Sequence, residues 1–131
     1  MSRSRVLAIE HDWRMRKLIQ ANLEPLGLEV RTAVNGLHSL ALLRGSKPDL
    51  ILLDAELPDM QITHLLDRLQ AELNGHVPII VLCAEPPHRG LWRDGHMVRF
   101  LVKPFAIPIL LQEVRMALGD IPAESRWATH R

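Results

Sequence analysis

An alternation of two periodicities runs along this chain and leaves few folds open to it. Short apolar runs rich in branched residues occur at VLAI (Val6–Ile9), LILL (Leu50–Leu53), PIIVLC (Pro78–Cys83) and RFLV (Arg99–Val102). A fifth piece, LEVRTA (Leu28–Ala33), alternates enough to be an outer strand. Helical patterns lie between them. Met15, Leu18, Ile19, Asn22 and Leu23 share one face, and Leu37, Leu40, Ala41 and Leu42-Leu43 form the next helix. Ile62, Leu65, Leu66, Leu69 and Leu73 form a third, and Ile109, Leu110, Val114 and Leu118 the last. Gly27 and Gly45 fall just past helix ends, and Pro108 sits in a first turn, where its missing N–H costs little. Five strands alternating with helices require crossover connections, hence an α/β, doubly wound parallel sheet covered on both faces. Continuous apolar runs, rather than alternating ones, agree with that burial.

At 131 residues the chain is expected to form one domain over 1–119, with 120–131 as a tail or the start of a linker. A net charge of +1 gives no argument for nucleic acid or an anionic membrane as partner. Arg3, Arg5, Arg14, Arg16 and Lys17 cluster near the start and read as a solvated face. No apolar run approaches the length needed to span a bilayer, and MSRSR leads straight into a strand without the regions of a signal peptide. The single cysteine, Cys83, excludes an internal disulfide and fits a reducing compartment, so the expected location is cytoplasmic. EPPHRGLWRDGHM (Glu85–Met97) carries two prolines and two glycines where a fourth helix belongs, and predicts a short or irregular one.

In open parallel sheets, ligands bind beyond the carboxyl ends of the strands where the strand order reverses. With the order 2-1-3-4-5, strands one and three meet there. Strand one ends at Glu10-His11-Asp12; strand three ends at Asp54, with Glu56 two residues on. Strand five ends in KPF, which brings Lys103, and strand four delivers Cys83-Ala84. A carboxylate attacking a phosphoryl donor needs a cation to neutralise the oxygens and a lysine to hold the spreading charge.

These residues resemble the receiver domain of two-component response regulators, the CheY-like family with a flavodoxin-like (βα)5 fold. The resemblance spans about Val6 to Leu118 and rests on VLAIEHD, TAVNGLHSLALL, KPDLILLDAELPDM, VPIIVLCA and FLVKPF. It implies Asp54 as phosphoacceptor, Lys103 as the phosphate-binding amine and Phe100 as the aromatic rotamer switch. It also implies a metal site at Glu10 and Asp54, with Glu56 and His11 as further candidates, for Mg2+ or another divalent ion. The implied partner is a histidine kinase or phosphotransfer protein. A homodimer through the face of the fourth helix, fifth strand and fifth helix is a further possibility of the family. Such a domain promotes its own phosphoryl transfer but is not an enzyme in the ordinary sense.

Three departures modify that picture. His11 stands where the family carries a second acid, and imidazole suits zinc, copper or nickel better than magnesium, so weak magnesium binding is expected. Asp12, one residue along, is expected to cap the first helix. Cys83 replaces a threonine or serine hydroxyl, and a thiol is a poorer donor, which weakens coupling between phosphorylation and Phe100. PDMQITHLL lacks the glycine often found after the phosphoacceptor loop. An alternative is therefore a pseudo-receiver, a protein-interaction module working without phosphate. An aspartyl phosphatase using Asp54 and Glu56 is poorly supported, because the later acids Glu113, Asp120 and Glu124 lie on a helix and a tail. A flavin binder would need a hydroxyl- and glycine-rich loop where this chain has acids. The histidines at 38, 64, 76, 88, 96 and 130 lack metal-ligand spacing and read as surface residues. Trp13 reads as packing a helix start, and Trp92 and Trp127 as partly exposed. Met15, Met97 and Met116 read as core fillers.

Overall fold

The computed structural model describes residues 3–86 and 98–119. Five strands, β1 (Arg5–Ile9), β2 (Glu29–Ala33), β3 (Leu50–Asp54), β4 (Ile79–Cys83) and β5 (Val98–Val102), form one sheet in the order β2-β1-β3-β4-β5, all pairs parallel. The helices are α1 (Trp13–Leu23), α2 (Gly36–Leu43), α3 (Ile62–Leu73) and α4 (Ile107–Ala117), with a 3-10 turn at Glu24–Leu26. The doubly wound fold and its strand order are those expected from the sequence. The short or irregular helix expected within Glu85–Met97 and the tail at 120–131 lie outside the described residues, as do Trp92, Trp127, Met97 and the histidines at 88, 96 and 130.

Strand alternation sorts the core into two halves. Leu7, Ile9, Ile51, Leu53, Ile79 and Val81 face α2 and α3, meeting Leu43, Leu65, Leu66 and Leu69. Val6, Ala8, Leu50, Leu52, Ile80 and Leu82 face α1 and α4, meeting Ile19, Leu23, Leu110 and Val114. Every residue of β3 and β4 is buried, as central parallel strands require. LEVRTA forms an edge strand as read. RFLV forms the other edge, where only Val98 of β5 is buried. Arg99 ties that edge to α4, with its Nε 2.9 Å from Glu113 Oε2.

Helix ends follow local chemistry. Asp12 caps α1, its carboxylate accepting the Arg14 N–H at 2.9 Å, and Asn35 caps α2 through the His38 N–H at 2.8 Å. Gly27 adopts φ 86°, the left-handed conformation that glycine takes without penalty. Four residues assigned to packed faces are exposed: Leu37 by 64%, Ile109 by 44% and Leu18 by 39%, with Ala41. The stripe is narrower than expected, because α1 buries only Ile19 and Leu23, and α2 buries Gly36, Ser39 and Leu43. Ser39 fits beside the sheet because its hydroxyl donates to the Gly36 carbonyl at 2.6 Å. Among the described residues, no helix is long and apolar enough to cross a membrane.

Candidate functional site

The same alternation builds the crevice. Val6 and Ala8, Leu50 and Leu52, and Leu101 all face the α1/α4 side. Two residues further, Glu10, Asp54 and Lys103 emerge on that side at the carboxyl ends of β1, β3 and β5. Glu10 extends the β1–β2 ladder, its N–H donating to the Ala33 carbonyl at 2.9 Å. Lys103 is held against β4 by its own N–H, which donates to the Cys83 carbonyl at 2.7 Å.

The four polar side chains interlock. Lys103 Nζ donates to Glu10 Oε2 at 3.1 Å and lies 3.5 Å from Asp54 Oδ1. His11 Nδ1 is 2.8 Å from Asp54 Oδ2 and 3.6 Å from Glu10 Oε1. The Glu56 N–H donates to Asp54 Oδ1 at 2.9 Å, and the Asp12 N–H to Glu10 Oε1 at 3.2 Å. Glu10 and Asp54 are only 1% and 2% exposed, whereas His11 forms the solvent-facing wall.

Two carboxylates buried this close do not both stay at ordinary acidity. Burial, then hydrogen bonding to and repulsion by Asp54, push Glu10 up to about 7. Burial also pushes Asp54 upward, but hydrogen bonds from Glu10 and the Glu56 amide, with the Lys103 charge, outweigh it and hold Asp54 below the usual range. Asp54 is thus the ionised member. Burial disfavours the Lys103 charge, yet Glu10 and Asp54 more than compensate, so the amine stays protonated. Burial raises the Cys83 thiol, which donates weakly to the Leu101 carbonyl at 3.8 Å.

A raised Glu10 gives the folded state more bound protons than the unfolded chain between pH 4.5 and about 7, so stability falls as pH rises through that window. Glu10→Gln removes the effect. The variant is expected to melt roughly 3–6 °C above the wild-type chain at pH 8, about 1–2 kcal/mol, with the gap closing near pH 4.5. Thermal unfolding of metal-stripped protein across that range measures it.

Glu56 is exposed, and its contribution to the crevice is the backbone N–H; among the described residues its carboxylate lies outside the Glu10–His11–Asp54 cluster. Phe100 is partly buried against the α2/α3 half of the core. Trp13 is 55% exposed and does not pack the helix start; Arg14 and Lys17 each lie 5.5 Å from its ring centroid. An exposed ring flanked by cations loses little hydration.

Two residues of the site's frame escaped the sequence reading. Arg16, read as part of a solvated face, instead donates from Nη1 to the carbonyls of Glu10 and His11 at 2.8 and 2.9 Å. Asp59 accepts the Gly36 and Leu37 N–H groups at 2.9 Å each, so the loop between β3 and α3 is tied to the α2 N-terminus. A Cβ on Gly36 would come within 2.7 Å of the Met60 side chain, so the loop also sits close to that turn. Only the arginine's placement seven residues past the end of β1 hints at its role; nothing local marks Asp59. Those amides hold the Asp59 carboxyl below its ordinary pKa despite slight burial. Its contribution is complete above about pH 4 and drains away as pH falls through the depressed value. Asp59→Ala is expected to lower stability at pH 7 by about 1 kcal/mol, read as a shift in the urea midpoint.

The chemistry of the donor set bears on metal. Atoms of Glu10, His11 and Asp54 lie within 4.8 Å of one another. Magnesium demands an octahedron of hard oxygens. Here an imidazole nitrogen takes one place among the donors. The residues do not fit an all-oxygen magnesium site.

A parallel 2-1-3-4-5 sheet with paired acids and a lysine at its carboxyl edge defines the class, and the comparisons supply the family. The family model of the response regulator receiver domain matches residues 6–115. The chain belongs to the response regulator receiver family and so to two-component signalling. It is 31% identical over 120 residues to the polar-differentiation response regulator DivK of Brucella anthropi, covering 88% of this chain and 96% of that one. It is 33% identical over 131 residues to the DNA-binding dual master transcriptional regulator RpaA of Synechocystis, covering 96% of this chain but 54% of that protein. The chain thus spans about half of RpaA and nearly all of DivK. The crystal structure of the response regulator TrrA of Thermotoga maritima in complex with Mg(2+)-BeF superposes with a TM-score of 0.74 at 25% identity, covering 88% of this chain and 99% of that one. Receiver domains are generally signalling modules, not enzymes; they bind Mg2+ at an acidic pocket, and response regulators interact with histidine kinases or phosphotransfer proteins.

Proposed function

We propose that this chain accepts a phosphoryl group on Asp54 from a phosphohistidine of a histidine kinase or phosphotransfer protein and relays it by a change of shape. The observation that carries this reading is the pairing of a buried, ionised Asp54 with a protonated Lys103 at 3.5 Å. An Asp54 oxygen attacks phosphorus, the P–N bond breaks, and the donor imidazole leaves with the bonding pair and takes up a proton. Lys103 and the Glu56 N–H hold the charge that spreads over the phosphoryl oxygens. Arg16 and Asp59 keep the two loops in register around the acceptor. The receiver unit is assigned to 1–119.

Magnesium affinity at Glu10, His11 and Asp54 is expected to be low for the family, with the Glu56 carboxylate outside the donor cluster. The coupling to Phe100 is expected to be weak, because the Cys83 thiol is a poor donor to a phosphoryl oxygen. A homodimer through the face that includes β5 and the last helix, α4, remains the family-derived proposal for assembly.

One observation favours the alternative of a phosphorylation-independent interaction module: the His11 ring already occupies Asp54 Oδ2 at 2.8 Å. Incubation with acetyl phosphate and magnesium or manganese, followed by intact mass, separates the two. A gain of one phosphoryl group supports the receiver reading; no gain at millimolar metal supports the pseudo-receiver.

A further inference from the structure

We propose that this crevice is a binding site for a late first-row divalent ion, of the zinc and cobalt class, held by Glu10 Oε1, His11 Nδ1 and Asp54 Oδ2, and that it selects such an ion over magnesium. The inference deepens the receiver reading, since it assigns the cation of the same crevice, and it rests on the way the two carboxylates divide their oxygens. Lys103 takes one oxygen from each acid, Glu10 Oε2 at 3.1 Å and Asp54 Oδ1 at 3.5 Å. His11 Nδ1 faces the other two, Glu10 Oε1 at 3.6 Å and Asp54 Oδ2 at 2.8 Å. An ion entering on the imidazole side leaves both lysine contacts in place.

The spacing suits such an ion. Donors bonded at about 2.1 Å stand about 3.0–3.4 Å apart in octahedral or tetrahedral shells. The two nitrogen–oxygen separations bracket that range, and the three donor atoms lie within 4.8 Å of one another. The donors are also held in advance, because Arg16 Nη1 fixes the carbonyls of Glu10 and His11, at 2.8 and 2.9 Å. The two carboxylates form the buried floor, and the His11 side chain, 47% exposed, forms a wall open to incoming ion and water. One nitrogen and two oxygens with open positions is a donor set that zinc, cobalt and nickel accept and magnesium disfavours. An imidazole that binds an ion through Nδ1 does so as a neutral ring with its proton on Nε2, the nitrogen turned away from the two carboxylates.

The test is titration of the untagged, metal-stripped 131-residue chain with Co2+, read by visible absorption, with Zn2+ and Mg2+ as competitors. Expected are Co2+ ligand-field bands displaced by Zn2+, and Co2+ binding about a hundredfold tighter than Mg2+. His11→Ala loses the bands and weakens Co2+ about a hundredfold, whereas His11→Asp binds Mg2+ more tightly than the wild-type chain. If His11→Ala does not unfold cooperatively, His11→Asn, closer in size, replaces it. Bands unchanged by either substitution place the ion at another histidine and overturn the proposal, as does Mg2+ binding equal to that of Co2+. Acetyl phosphate uptake, run in parallel, separates the two readings. Uptake without a His11-dependent cobalt spectrum rejects only the metal assignment. A His11-dependent spectrum without uptake under any metal rejects only the phosphoacceptor.

Discussion

Asp54→Asn takes up no phosphoryl group under conditions in which the wild-type chain gains one; the rate falls about a thousandfold or more. An amide oxygen is a far weaker nucleophile than a carboxylate, and among the described residues no other acid sits with Asp54's combination of burial, lysine contact and ionised state. Glu10 is the nearest rival, but its proton is held to about 7 and Lys103 already binds one of its oxygens. The variant remains folded, because asparagine has nearly the same volume and its carbonyl still accepts the Glu56 N–H. Intact mass reads the loss of uptake, and a cooperative thermal transition within about 1 kcal/mol of wild type shows that the fold is kept.

Leu52→Ala is expected to destabilise the domain by about 3–5 kcal/mol, a large part of the stability of a domain this size. Leu52 is fully buried in the central strand, between Ala8 of β1 and Ile80 of β4, on the sheet face that α1 and α4 cover. Four rigid neighbouring elements prevent the cavity from collapsing. Leu37→Ala removes the same atoms from a residue 64% exposed and is expected to change stability by less than about 0.5 kcal/mol. Urea unfolding of both variants, compared at constant slope, distinguishes a strand at the sheet centre from an apolar residue at a helix surface.

The contrast between these two leucines also shows what the sequence carries. Unbroken runs such as LILL fit the middle of a two-faced sheet, so the strands were readable, although RFLV reads alike and forms an edge where only Val98 is buried; the order came with the fold class. Apolar residues on helices carried less information, because Leu18, Leu37 and Ile109 share a helical period with buried neighbours yet sit at the edge of the stripe. The convergence of Glu10, Asp54 and Lys103 was readable because each ends an apolar run of known direction. The division of their oxygens between Lys103 and His11 was not, since it depends on rotamers set by three strands at once. Arg16 was obscured by the basic cluster around it, and its role required knowing where two carbonyls point. Asp59 depends on contact between segments 22 and 23 residues apart in sequence, which no local pattern records.

The receiver function requires that position 54 carry an acyl phosphate. After incubation with acetyl phosphate and a divalent ion, borohydride reduction converts an aspartyl phosphate to homoserine, which peptide sequencing by mass spectrometry can place. Homoserine at position 54, with Asp12, Asp49, Asp59 and Asp67 unchanged, is the predicted result. Reduction at any other aspartate with Asp54 intact, or none at all, would contradict it.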